Sequence, residues 1–235
     1  MAMEIRKQLK PLAMQNGLKG FFYGYLPFLV IGLLVLLFTE HGAVVLWVNR
    51  HSYELWDQVA AFLTNFGLGS YVAIVMALLL LIRIEYAVTG LLSLGFTGIF
   101  TGLFKKVLFN DHIRPLNYFY YDDFHRFIYA ADLNYYFSFP SGHTMGIFSA
   151  LSFLAFIIGR RWVGFLFFLF ALTIGFTRIY LLQHFFLDVY CGSILGVLST
   201  VLAIWIISYL LRLQRFSWFR KPIYRIQIKR STAAS

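Results

Sequence analysis

The sequence predicts an all-α polytopic membrane protein, with six transmembrane helices and a polar site gathered at their outer ends. Three observations carry that expectation. Of 235 residues, 60% are hydrophobic, 20% aromatic and only 13% charged, against roughly 45–50% apolar and about 25% charged in soluble domains. A water-soluble globule of this size has too small an interior to hide so much apolar surface, and disorder needs the opposite balance. Uncharged stretches of about 20 residues, long enough to cross ~30 Å of hydrocarbon, recur along the chain. The charges also separate onto two sides of those stretches. The length fits a single membrane-embedded domain over residues 1–235.

The first stretch is 20–39; no signal-peptide cleavage pattern precedes it, so it is read as retained. The second lies within 58–82 and is densest over Val72–Ile82. The third is 86–104, where Gly95, Gly98 and Gly102 recur on one helical face, a pattern of close helix packing. A fourth follows Pro140 and runs to about Gly159, and a fifth starts at Trp162 and continues through Arg178. The sixth covers roughly 185–211, with Asp188 as its single charge.

A net charge of +10 raises the question of nucleic acid, and the positions of the charges answer it. The tails 1–19 and 212–235 hold Arg6, Lys7, Lys10, Lys19, Arg212, Arg215, Arg220, Lys221, Arg225, Lys229 and Arg230. With Arg83, Arg160 and Arg161 in short turns, fourteen of the 20 basic residues fall on one side, beside only Glu4 and Glu85. The other side carries six basic residues, eight acids and all six histidines. Basic flanks mark the cytoplasmic face, so both termini are placed inside and the histidine-rich side outside. The tails also suit anionic headgroups, and no nucleic-acid motif accompanies them. A lone cysteine, Cys191, excludes an intramolecular disulfide and a cysteine-based zinc site.

The longest outer loop, about 107–139, is crowded with aromatics: Tyr118, Phe119, Tyr120, Tyr121, Phe124, Phe127, Tyr129, Tyr135, Tyr136 and Phe137. They read as an interfacial belt, or as a greasy rim admitting lipid to a site at the surface. His112 and His125 read as surface residues of that loop.

A small set of polar residues remains beside outer helix ends. Pro140-Ser141-Gly142-His143 stands before the fourth span, where a helix start offers free N–H groups and a dipole suited to an anion. Arg178 ends the fifth span. His184 and Asp188 open the sixth, four residues apart and on one face, so the carboxylate can orient the imidazole. Lys105, Lys106 and Arg114-Pro115 lie where the third span emerges. Fixed cations around helix N–H groups make a phosphate cradle. Two histidines inside it suggest phosphoryl transfer, one attacking and one protonating the leaving oxygen.

This constellation resembles the type 2 phosphatidic acid phosphatase superfamily, whose signatures are Lys-x6-Arg-Pro, Pro-Ser-Gly-His and Ser-Arg-x5-His-x3-Asp. The second is complete here, and the third has Thr177 in place of serine, which keeps the hydroxyl. In the first, the spacer to Arg114 is eight residues from Lys105 and seven from Lys106. Lys105 is preferred because the residues after it match the family's apolar helix end, the extra length falling in Asn110–Ile113. The resemblance implies a phosphatase needing no metal or cofactor, with His184 as nucleophile, Asp188 orienting it and His143 as acid. Lys105, Arg114, Ser141, Gly142 and Arg178 would hold the phosphoryl oxygens.

An outward site between membrane helices implies a phosphorylated membrane lipid: phosphatidate, phosphatidylglycerophosphate, a polyprenyl diphosphate or lipid A. The compact form fits a bacterial inner membrane. A lipid phosphotransferase of the same family, or a non-catalytic lipid-binding membrane protein, are the alternatives. Oligomeric state has no signal in the sequence.

Overall fold

Helix α1, Asn16–Phe38, opens the computed structural model, which describes residues 16–128 and 134–224. The tail residues Arg6, Lys7, Lys10, Arg225, Lys229 and Arg230, and Tyr129 of the loop, lie outside the described residues. The remaining helices are α2 (Ala43–Arg50), α3 (Glu54–Thr64), α4 (Gly69–Leu78), α5 (Ile84–Leu103), α6 (Pro115–Tyr118), α7 (Gly142–Ile158), α8 (Arg161–Tyr180) and α9 (Phe186–Trp205). Widened π turns extend α5 through Phe104–Leu108 and α9 through Ile206–Leu210. Among the described residues there is no strand, only an isolated bridge between Ile113 and Tyr136.

Among the described residues four helices are long and apolar enough to cross a bilayer: α1, α5, α8 and α9, with α5 and α9 counted through their π turns. The expected span at 58–82 is not one helix. α3 ends in a tight turn at Asn65–Gly67, Leu68 is extended, and the chain resumes as α4 after a bend of 52°. Two glycines within three residues, Gly67 and Gly69, weaken the helix there, and Asn65 spends its side-chain amide on the Ala61 carbonyl. Counted as one, the bent pair makes a fifth candidate. α7 has 17 residues and is the shortest of the long apolar helices.

That short helix is the axis of the bundle. α7 packs against α1, α5, α8 and α9, and nearly every residue from Thr144 to Phe153 is buried. α1 and α8 approach backbone to backbone, because a Cβ on Gly20 would run into the Arg161 carbonyl and one on Gly164 into that of Gly17. Phe21, Tyr25, Phe148 and Phe168 fill the space beside them at mostly tilted or edge-on angles.

The glycine face expected to pack on α5 does not. A Cβ on Gly95, Gly98 or Gly102 would meet nothing within 4 Å. Helical spacing defines a face but does not choose its partner. α5 buries Ala87, Gly90, Ser93 and Thr97 instead, where the hydroxyl of Ser93 finds hydrogen-bond partners across the bundle. The stretch after α9 folds back, and the Lys221 and Phe219 carbonyls accept the free N–H groups of Ile84 and Glu85 at the start of α5.

Candidate active site

The third motif is shaped by the end of α8. After Tyr180 the chain turns through Leu182, a buried residue with a left-handed φ of 58°. A non-glycine residue pays for that conformation with roughly 1–3 kcal/mol, and the reason for tolerating it is visible next door. The N–H groups of Gln183 and His184 both donate to the Arg178 carbonyl, at 2.9 and 3.1 Å. His184 is thereby folded against the helix that carries Arg178, one turn before Asp188 on α9.

Asp188 Oδ2 is held from three directions. It accepts from the Phe185 N–H at 2.9 Å and the Ser138 hydroxyl at 2.5 Å, and it faces His184 Nδ1 at 3.2 Å. A carboxylate at Nδ1 places the proton there and leaves Nε2 with its lone pair. His184 is 1% exposed. Burial, and then the cations Arg114, Lys105 and Arg178, push its pKa well below the usual histidine range. Both causes favour the neutral imidazole, the form a nucleophile requires.

The second motif joins this cluster through the backbone, where the Ser141 N–H donates to the Asp188 carbonyl at 3.1 Å. Ser141 caps α7: its Oγ accepts from the Thr144 hydroxyl at 2.9 Å and the Thr144 N–H at 3.5 Å. As acceptor in both bonds, it keeps its own hydroxyl hydrogen. Gly142 begins the helix with Thr101 3.8 Å from where its Cβ would be. His143 follows, half-buried in the first turn.

The first motif separates its two lysines. Lys105, in the π turn, is half-buried and is among the cations acting on His184, whereas Lys106 is exposed and is not. Arg114 is buried (9% exposed) and half committed to structure: Nε donates to the Tyr136 carbonyl at 2.9 Å and Nη1 to Gln183 Oε1 at 2.8 Å. Arg178 donates from Nη1 to Thr64 Oγ1 at 2.7 Å, while its Nε, also buried, has no acceptor among the described residues.

All eight residues singled out in the sequence therefore lie at one end of the bundle, in three segments bonded to one another. Three further residues had escaped notice. Ser138 and Gln183 are polar neighbours of the second and third motifs, a signal that was there to use. Thr64 contacts Arg178 across 114 positions and has no sequence signal at all.

Around the site the segment at His125 and Arg126 is latched down. Arg126 makes a two-pronged ion pair with Asp57, the Tyr180 hydroxyl lies 2.8 Å from Asp57 Oδ1, and Asn49 binds the backbone of His125 and Arg126. The aromatics of the loop divide. Phe124 is buried, whereas Tyr118, Tyr120, Tyr121, Tyr135, Tyr136 and Phe137 are exposed. His125 is exposed, and His112 is half-exposed beside Asp111.

Comparison with known proteins adds a family and a fold. A family model described as the PAP2 superfamily matches residues 86–212. A 68-residue stretch is 40% identical to the bacitracin transport permease protein BcrC of Bacillus licheniformis. That match covers 29% of this chain and 32% of the relative, about a third of its length. The crystal structure of Aquifex aeolicus LpxE superposes with a TM-score of 0.62 at 23% identity, over 71% of this chain and 96% of the other. At that identity the likeness is one of fold.

Proposed function

The chain belongs to the PAP2 superfamily, and from that premise we propose that it is an integral membrane phosphatase acting on a phosphorylated lipid through a phosphohistidine. One observation carries the reading: a buried histidine, fixed by a buried carboxylate, stands among the cations Lys105, Arg114 and Arg178. His184 Nε2 forms a bond to phosphorus as the bond from phosphorus to the leaving oxygen breaks, and His143 gives that oxygen its proton. His143, now neutral, takes a proton from a water whose oxygen attacks the phosphohistidine. The phosphorus–nitrogen bond breaks, inorganic phosphate departs, and both histidines regain their starting states. The three cations, with the Ser141 hydroxyl and the Gly142 N–H, stabilise charge on the transferring group. No metal or cofactor enters this scheme.

Lipid is the substrate class favoured by position, since the site lies at the ends of helices whose perimeter is apolar, as at Val30, Ile31, Leu37 and Ile99. In this reading α7 is the sixth span: 17 residues rise about 25 Å, near the lower limit for crossing. Fourteen basic residues on the opposite side support cytoplasmic termini and an outward site. The bacterial sources of the two relatives support a bacterial inner membrane.

The test is phosphate release by the purified protein from phosphatidate, phosphatidylglycerophosphate, a polyprenyl diphosphate and lipid A. Release from at least one, unaffected by excess EDTA and blocked by vanadate, is expected. Strict magnesium dependence would overturn the mechanism. Transfer of phosphate to a second lipid without free phosphate would make the protein a phosphotransferase.

A further inference from the structure

The bend between α3 and α4 lies against the cradle at two points. Thr64, the last residue of α3, is buried (7% exposed) and accepts the hydrogen bond from Arg178 Nη1. Gly67 lies beside His143: a Cβ there would come within 3.0 Å of His143 Cβ and 3.1 Å of its carbonyl oxygen. Glycine lets the bent segment approach that closely. Neither residue belongs to the three motifs, and both precede the stretch 86–212 that matches the family.

A guanidinium is rigid and planar, with its N–H donors in fixed directions. Its Cα is set by α8, so holding Nη1 on Thr64 also sets the plane and the direction of Nε–H. That second donor is buried without an acceptor. A buried unpaired donor costs free energy, and a phosphoryl oxygen at Nε removes the cost only if the plane is already correctly turned. We propose that Thr64 is a positioning residue, holding Arg178 so that its Nε–H faces the transferring phosphoryl group. The inference rests on reading the site as one that binds phosphoryl groups. Thr64 acts through Arg178 and does not itself touch the substrate.

Thr64→Val keeps the branched shape and removes the acceptor, whereas Thr64→Ser keeps the acceptor. Thr64→Val should lower kcat/KM about ten- to a hundredfold, the scale of a misplacement of order 1 Å, while Thr64→Ser stays within about threefold. With Arg178→Ala already present, Thr64→Val should add less than about twofold, because no guanidinium remains to be turned. Vanadate affinity should fall in Thr64→Val alongside activity. A merely structural threonine gives different results: Thr64→Val melts lower, and either its folded fraction keeps normal kcat/KM or any loss it shows adds in full to that of Arg178→Ala. Either of the last two results overturns the inference. If wild type releases no phosphate yet binds vanadate more tightly than Thr64→Val, the phosphatase reading fails and the positioning role stands. Equal vanadate affinity in the two proteins rejects the positioning role.

Discussion

Two layers of the bundle hold buried polar groups and treat them in opposite ways. Midway along, Ser93 of α5, Ser149 and Ser152 of α7 and Thr200 of α9 form a closed cluster. Ser93 Oγ lies 2.7 Å from Ser149 Oγ and 3.2 Å from Thr200 Oγ1, and Ser152 donates to Thr200 at 3.1 Å. Every hydroxyl there has a partner, which is the ordinary state of buried polar atoms. At the end of the bundle that carries the motifs Arg178 is also buried, yet its Nε is the one buried side-chain donor left unpaired among the described residues. Three cations gather there, and the carboxylate facing them is already bonded by Ser138, Phe185 and His184. The middle layer ties helices together, while the layer that carries the motifs leaves a buried guanidinium donor unpaired.

The harshest test of that contrast removes the proposed nucleophile. His184→Ala should reduce phosphate release at least a thousandfold while the protein still folds and inserts, since no other imidazole faces Asp188 among the described residues. Retention of more than a few per cent of activity would end the phosphohistidine proposal. The pH dependence follows from the depressed pKa of His184. Lowering pH removes activity only when the buried imidazole finally protonates, so the acid limb of kcat/KM should lie well below the usual 6.5. The unfolded chain takes up that proton near pH 6.5 and the folded chain does not. Stability should therefore fall as pH drops below about 6.5, by up to about 1.4 kcal/mol per pH unit from this group. Melting curves of wild type and His184→Ala between about pH 7.5 and 5 should diverge in that direction.

Exchanging one residue in each layer sharpens the contrast. Arg178→Met should cost about a hundredfold or more in kcat/KM yet melt no lower than wild type, because it removes a buried charge with an unpaired donor. Ser93→Ala should do the reverse, melting lower by the equivalent of about 1 kcal/mol while activity stays within about twofold. Thermal melting and phosphate release on the same preparations decide the matter. An Arg178→Met protein that is both inactive and badly destabilised would mean the layer that carries the motifs is structural after all.

Within the cradle, Lys105→Ala should lower catalytic efficiency about 30- to 1000-fold, as for one charge-assisted bond to a transition state. Lys106→Ala should cost little, since that side chain is exposed and can reach the headgroups. Kinetics of the two alanine variants check the assignment. A large loss at Lys106 with a near-normal Lys105 would put the shorter spacer in its place.

These residues differ in how legible they were. His143, Arg178, His184 and Asp188 show in the sequence because each sits at fixed spacing beside a helix end, and local geometry translates spacing into position. The preference for Lys105 rested on the apolar residues after it, whereas the π turn that lengthens α5 there is announced by no periodicity. Thr64 was invisible because its contact with Arg178 depends on how α3 and α8 pack, a long-range matter. The bend after it was legible only in part. Gly67 and Gly69 mark a weak point, but a run this apolar reads equally well as one continuous span. α2 also went unread, as eight residues between turns leave little periodic signal.

The glycines show how the same residue misleads when only its spacing is known, and they supply the mildest prediction. Gly98 shares a helical face with Gly95 and Gly102, yet a Cβ there meets nothing within 4 Å, whereas one on Gly20 strikes the Arg161 backbone. Gly98→Ala therefore adds only a helix-favouring methyl, worth about 0.5–1 kcal/mol of stability where no contact opposes it. Gly20→Ala must push two helices apart, and backbone cannot give way as a flexible side chain does; a loss of about 1–3 kcal/mol is expected. Melting temperatures in one detergent should move in opposite directions, with activity near wild type in Gly98→Ala. If Gly98→Ala instead destabilised the protein as much as Gly20→Ala, the open face of α5 would have to be covered in the assembled protein, and a second copy of the chain would be the first partner to look for.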